Sequence, residues 1–169
     1  MKRLLISIFA LTATFAVMAQ PVMTIEQAEV KADEIIKTLT LKQKLSMIQG
    51  HNRFFLPGVP SKGLPHIYTT DASMGVKNKQ HLHSDSEVIL AERTTQFPAF
   101  IMLAATFNTD LAYEYGHAVG EEARMAGAGV ILGPGMNIYR NSRCGRNFEY
   151  LGEDPYLAAS IIFPYVTGM

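Results

Sequence analysis

The chain has 169 residues, 48% of them hydrophobic, with 15 lysines and arginines balanced by 15 aspartates and glutamates. A formal net charge of zero leaves no electrostatic footprint for nucleic acid, and one cysteine, Cys144, closes no internal disulfide. The length suits one ordinary domain and can bury a sizeable core, and no stretch reads as a repeat or as low complexity.

Lys2 and Arg3 precede an apolar run from Leu4 to Val17, broken only by Ser7, Thr12 and Thr14. Val17-Met18-Ala19 then supplies the small residues that a signal peptidase reads. Residues 1–19 are therefore expected to be an export signal, which leaves 169 − 19 = 150 residues, 13 basic against 15 acidic. The run falls short of the ~20 residues of a membrane span, so stable insertion is not expected. No cysteine follows Ala19 to carry a lipid anchor, and the expected destination is periplasmic or secreted.

Thr24-Ile25-Glu26-Gln27 is a capping-box pattern that opens a helix, with Ala28, Ile35, Ile36 and Leu39 at helical spacing. Thr40-Leu41-Lys42-Gln43 repeats the device for a second helix through Leu45 and Ile48, which Gly50 can close. Pro57, Gly58, Pro60, Gly63 and Pro65 punctuate residues 51–65 and predict loop. Ile67-Tyr68-Thr69-Thr70 predicts a short strand ending at Asp71, and a polar segment runs from Lys77 to Glu87. Pro98 to Thr106 is apolar enough to predict a buried strand.

Asn108 or Thr109 then caps a helix to Ala126, with Leu111, Tyr115, Ala118, Val119 and Ala123 along one face and Gly127 as its stop. Gly129 to Leu132 predicts another strand and Gly133 to Glu153 a long loop. Asp154-Pro155 supplies the cap and first residue of a last helix. This order suggests βα units around a parallel sheet. Its polar residues gather after strands, at Asp71 and at 137–154, where α/β barrels build their active sites. A closed barrel needs ~250 residues for eight units; 150 residues with two leading helices hold about three.

Gly145-Arg146-Asn147-Phe148-Glu149-Tyr150-Leu151-Gly152-Glu153-Asp154-Pro155 sets an arginine fork and three carboxylates in one loop. Arginine offers planar bidentate donors and carboxylates accept in pairs, the mixture that grips neighbouring sugar hydroxyls. Arg140 and Arg143 are nearby, and solvated or loop-bracing roles explain them. Asp71 precedes the turn Ala72-Ser73-Met74-Gly75, where its carboxylate either accepts from two adjacent hydroxyls or caps its own turn. Asp71 and Glu149 can also be paired, as nucleophile and acid, as the two carboxyls of a glycosidase, which lie ~5–5.5 Å apart in a retaining enzyme.

His81-Leu82-His83 is a rival zinc motif, but its setting is polar and strandless and shows no third ligand, which favours a solvated loop. Cys144 has no histidine placed near it and reads as a loop filler. The glycines Gly127, Gly129 and Gly133 precede or end a strand, which is not the dinucleotide fingerprint.

Five segments in order resemble the N-terminal catalytic domain of family 3 glycoside hydrolases, the β-glucosidase and β-xylosidase family. They are Leu39–Leu45, Lys62–Pro65 with Asp71–Val76, Thr95–Asn108, Leu132–Ile138 and Cys144–Tyr150. The resemblance covers residues 38 to 168 and implies the N-terminal portion of a TIM-like (β/α)8 barrel, incomplete in this chain. It implies an exo-acting, retaining hydrolase of terminal β-linked sugars with no metal or organic cofactor and an oligosaccharide or β-glycoside as partner. Asp71 would be the main hydroxyl acceptor, Arg146 a second sugar contact, and Lys77 a third where many relatives carry arginine.

By the same resemblance no catalytic residue is expected within the chain. The nucleophilic aspartate, often followed by tryptophan, and the general acid belong further along, as does a sugar-binding Lys-His pair, and neither a tryptophan nor a Lys-His dipeptide occurs here. Glu149 is then expected to brace its loop and Asp154 to cap a helix. Ala72-Ser73-Met74, where many relatives read Gly-Pro-His, is a departure in the sugar pocket. A non-catalytic, truncated fragment is the alternative reading.

Overall fold

A computed structural model describes residues 23–50, 54–77 and 93–169. The expected export signal and the His81/His83 pair lie outside the described residues. The chain forms two compact units, residues 1–40 and 41–169.

In the first unit, helix α1 spans Ile25–Thr38. Its capping box forms as the sequence predicts. Thr24 Oγ1 accepts from the Gln27 amide at 3.3 Å, and Gln27 Oε1 accepts from the Thr24 amide at 3.0 Å. None of its residues is buried.

The second unit begins with a short helix, α2 (Leu41–Met47), which stops just before Ile48. The expected loop over residues 51–65 holds two short elements. Strand β1 (Phe55–Leu56) pairs antiparallel with β2 (Ile67–Asp71), and a 3-10 turn at Pro60–Lys62 ends at Gly63 in the left-handed region, φ 75°. The ring of Phe55 packs 5.4 Å from that of Tyr68, which gives this two-residue strand its reason to stay.

β2 also pairs, in parallel, with β3 (Val130–Leu132), in the register Thr69 to Val130, Thr70 to Ile131 and Asp71 to Leu132. The sheet order among the described residues is β1-β2-β3.

The strand expected at 98–106 is not there. Phe100–Ala104 forms helix α3, and Thr95–Pro98, likened to the family's second strand, runs without strand pairing. A short apolar run does not decide between strand and helix by itself. Here Phe100, Leu103 and Ala104, at helical spacing, are buried while Met102 between them stays exposed, so a one-sided face is covered.

α4 (Thr109–Met125) follows, with Asn108 Oδ1 accepting from the Leu111 amide at 2.9 Å. Its buried face is Ala112, Tyr115, Gly116, Val119 and Ala123; the expected Leu111 stays exposed and Ala118 half-buried. Gly127, at φ 74°, ends the helical run. α5 (Pro155–Gly168) is capped by Asp154, whose Oδ1 accepts from the Tyr156 amide at 2.8 Å.

α4 and α5 touch backbone to backbone. A Cβ on Gly116 would lie 1.9 Å from the Tyr165 carbonyl oxygen, and one on Gly168 would lie 2.2 Å from that of Tyr113. The close approach seats Tyr165 against Phe100, edge-on at 5.2 Å, and against Tyr115 at 5.6 Å. With Val119 and Ile161 these rings form the centre of the core.

Candidate functional site

Because β2 and β3 run parallel, the segments that follow them leave the same edge of the sheet. Asp71 and Leu132 pair at the carboxyl ends of the two strands, so the turn 72–77 and the loop 133–153 start side by side. That is the edge where α/β barrels place their sites.

The turn after β2 is fixed by its backbone. The Lys77 amide donates to the Asp71 carbonyl at 2.9 Å, and the buried Thr70 hydroxyl lies 3.2 Å from the Lys77 carbonyl. Gly75 has φ 104°, and a Cβ there would meet the Thr95 carbonyl oxygen at 2.1 Å, so only glycine fits. The Thr95 amide in turn donates to both carboxylate oxygens of Glu122 on α4, at 3.0 and 3.1 Å. Asp71 is half-buried at this strand end and Lys77 is exposed.

The loop after β3 begins with a cis peptide at Gly133-Pro134 and closes on itself. The Tyr139 amide donates to the Gly152 carbonyl at 3.0 Å, and the Tyr139 hydroxyl donates to the Asn147 carbonyl. Asn147–Glu149 makes a 3-10 turn that puts Arg146 and Glu149 one turn apart. The Arg146 Nε–H donates to Glu149 Oε1, and the Arg146 guanidinium lies 5.9 Å from the centre of the Tyr150 ring. Arg146's side chain is 70% exposed and Glu149's only 9%.

The Ser73 hydroxyl and the Lys77 charge, both from the turn after Asp71, also act on the Glu149 carboxyl and lower it, so this loop and that turn face each other. The hydrogen bond from Arg146 is the main influence that holds the Glu149 carboxyl below the ordinary carboxylate range, against burial, which pushes it up. The same bond raises the Arg146 guanidinium further. A general acid of a glycosidase needs the opposite, a carboxyl held protonated. Glu149, bonded to Arg146 within its own loop, stands where the brace implied by the resemblance would stand.

The segments that carry the sequence-predicted residues Asp71, Lys77 and Arg146 thus leave one sheet edge, with Glu149 bonded to Arg146. Arg140 and Arg143 are exposed, as is Cys144, and Asp154 caps α5. Ser73 and Tyr150 were missed as partners of the site. Ser73 carried a signal only in being a hydroxyl two residues after Asp71, and Tyr150 only in being an aromatic close to Arg146. Among the described residues, no group of three or more His, Cys, Asp or Glu side chains is placed to hold a metal ion. An apolar groove of about 530 Å³ lies between Met136, Ile138 and α5, away from these residues, and offers a sugar no charged group.

Two paired parallel strands, with helices packed beside them and a carboxylate, an arginine and a lysine in the segments at their carboxyl ends, define an α/β protein with the strand-to-helix order of a barrel. The model of the glycosyl hydrolase family 3 N-terminal domain matches residues 60–169, and the chain belongs to that family. It is 39% identical over 142 residues to beta-glucosidase BoGH3A of Bacteroides ovatus, covering 83% of this chain and 19% of that one. It is 40% identical over 136 residues to an exo-alpha-(1->6)-L-arabinopyranosidase of Bifidobacterium longum, covering 79% of this chain and 18% of that one.

Among solved structures it superposes on beta-glucosidase 3B from Thermotoga neapolitana in complex with glucose. The TM-score is 0.70 at 37% identity, over 82% of this chain and 21% of that chain. The fold is accordingly the N-terminal portion of the family's TIM-like barrel. The chain spans about a fifth of the length of the relatives it matches.

Proposed function

We propose that the chain is the sugar-recognising front of an exported, exo-acting, retaining glycoside hydrolase that releases terminal β-linked sugars, β-glucosidase-like in its preference. The observation that carries this is that Asp71 and the Arg146–Glu149 pair lie in the segments at the carboxyl ends of two paired parallel strands. The β-glucosidase and arabinopyranosidase relatives and the glucose-bound neighbour support it. In this reading Asp71 accepts from two adjacent sugar hydroxyls, Arg146 donates to them, and Lys77 adds a point charge where an arginine would add a fork.

Bond cleavage in such an enzyme is attack by a carboxylate, a covalent glycosyl-enzyme, then release by water. Glu149 is committed to Arg146, so the 169-residue chain by itself binds a sugar without cleaving it. The test is paired. The full chain is titrated with glucose and assayed on an aryl β-glucoside, beside D71A. Glucose binding that D71A abolishes, with no turnover above D71A, is expected; turnover above D71A, or binding that D71A leaves intact, overturns the assignment.

A further inference from the structure

We propose that Glu149 is a positioning residue for sugar recognition: from its buried place in the loop it fixes Arg146 by Nε, leaving both terminal amino groups of Arg146 for a pair of sugar hydroxyls. The inference rests on the reading of Arg146 as a sugar contact and deepens it.

An exposed arginine in a loop is ordinarily mobile, and an exposed ion pair one helical turn apart contributes little. This pair is different because its two halves are unequal. Glu149 is buried, and a buried carboxylate requires partners. Its hydrogen-bond partner is the Arg146 Nε–H on its own turn, and the Ser73 hydroxyl and the Lys77 charge favour the carboxylate from the turn after Asp71.

Arg146 carries five N–H donors, and among the described residues only its Nε–H reaches a protein acceptor. The guanidinium also lies 5.9 Å from the centre of the Tyr150 ring. With Nε held and the side chain 70% exposed, the Nη groups form a fork that costs less ordering on binding than a free side chain does. Ser73, in the turn after Asp71, is only 9% exposed.

The test uses the full, 15N-labelled chain, with glucose as the probe. The Arg146 Nε–H resonance reads the clamp directly, and glucose titration reads its consequence. In the wild type the Nε–H is expected to exchange slowly with water and to shift on adding glucose. E149Q is expected to lose that protection and to bind glucose about tenfold more weakly, the loss of one charged hydrogen bond. R146K weakens binding similarly, and E149Q added to R146K weakens it no further, because a positioning residue acts only through the group it positions.

S73A keeps the Arg146–Glu149 bond and removes the hydroxyl that favours the Glu149 carboxylate from the turn. It is expected to weaken glucose binding several-fold with the Nε–H still protected, and it serves alone if E149Q does not fold. Wild-type glucose affinity in folded E149Q or in S73A, or additive losses in the double variant, overturns the positioning role and leaves the sugar site standing. A wild-type chain that shows no glucose-dependent shift overturns the sugar site, and the positioning role with it.

Discussion

Replacing Gly116 by alanine should destabilise the fold, against the intrinsic preference of the helix that carries it. In an exposed helix interior, alanine is favoured over glycine by roughly 1 kcal/mol. At Gly116 the added Cβ lies 1.9 Å from the Tyr165 carbonyl oxygen, where ordinary contact begins at 3.4 Å, so α4 and α5 must part by about 1.5 Å. Both contacting atoms belong to backbone, so no side-chain rotation relieves the clash.

A gap of 0.5–1 Å already forfeits about a quarter to a half of the attraction between packed atoms. The atoms concerned are those of Tyr165, Ile161, Phe100 and Val119, none more than 1% exposed. Overpacking of this kind costs about 3 kcal/mol, so a net loss of about 2 kcal/mol or more is expected after the helix preference is subtracted. Urea unfolding followed by far-ultraviolet circular dichroism measures it as a lower midpoint at unchanged slope. G120A is the internal control. Its Cβ meets the carbonyl of the last residue, Met169, at 2.9 Å, and a small shift there relieves the contact, so its cost should be a fraction of the first. A G116A chain as stable as the wild type, or no less stable than G120A, would refute the close backbone contact between the helices.

D154A removes the carboxylate that accepts from the Tyr156 amide at 2.8 Å and should cost about 1 kcal/mol, read as a lower thermal midpoint, with D154N restoring most of it. The pH dependence of stability should carry the mark of Glu149. Its folded-state pKa lies below the ordinary 4.5, so its contribution is fully present above pH 4.5 and is lost as the pH falls through the lowered value. E149Q lacks that loss, and its stability should fall less steeply than the wild type's below pH 4.5. Parallel acid-unfolding curves for the two proteins would show that the carboxylate has no special partner in the folded state.

What could be read from the sequence was local. The caps at Thr24, Asn108 and Asp154 were legible because donor and acceptor lie two or three residues apart, and the structure forms all three. β2 and β3 were legible as short β-rich runs bounded by turn residues. Residues 98–106 were misread because the choice between strand and helix depends on what covers the run. Phe100 is buried against Tyr115 and Tyr165, which come from helices 15 and 65 residues further on. Gly116, a poor helix former by itself, is where two backbones meet, which no local pattern signals. The same division holds at the site. Asp71 and Arg146 stood out through the motifs around them, but Ser73 meets Glu149 from 76 residues away only because β2 and β3 pair in parallel and bring their following loops together. A motif therefore identifies which side chains a sugar would meet, whereas the partners that hold those side chains in place are set by strand pairing. Substitutions at Ser73 and Glu149, more than at Arg146 itself, are the ones that test whether this pairing is right.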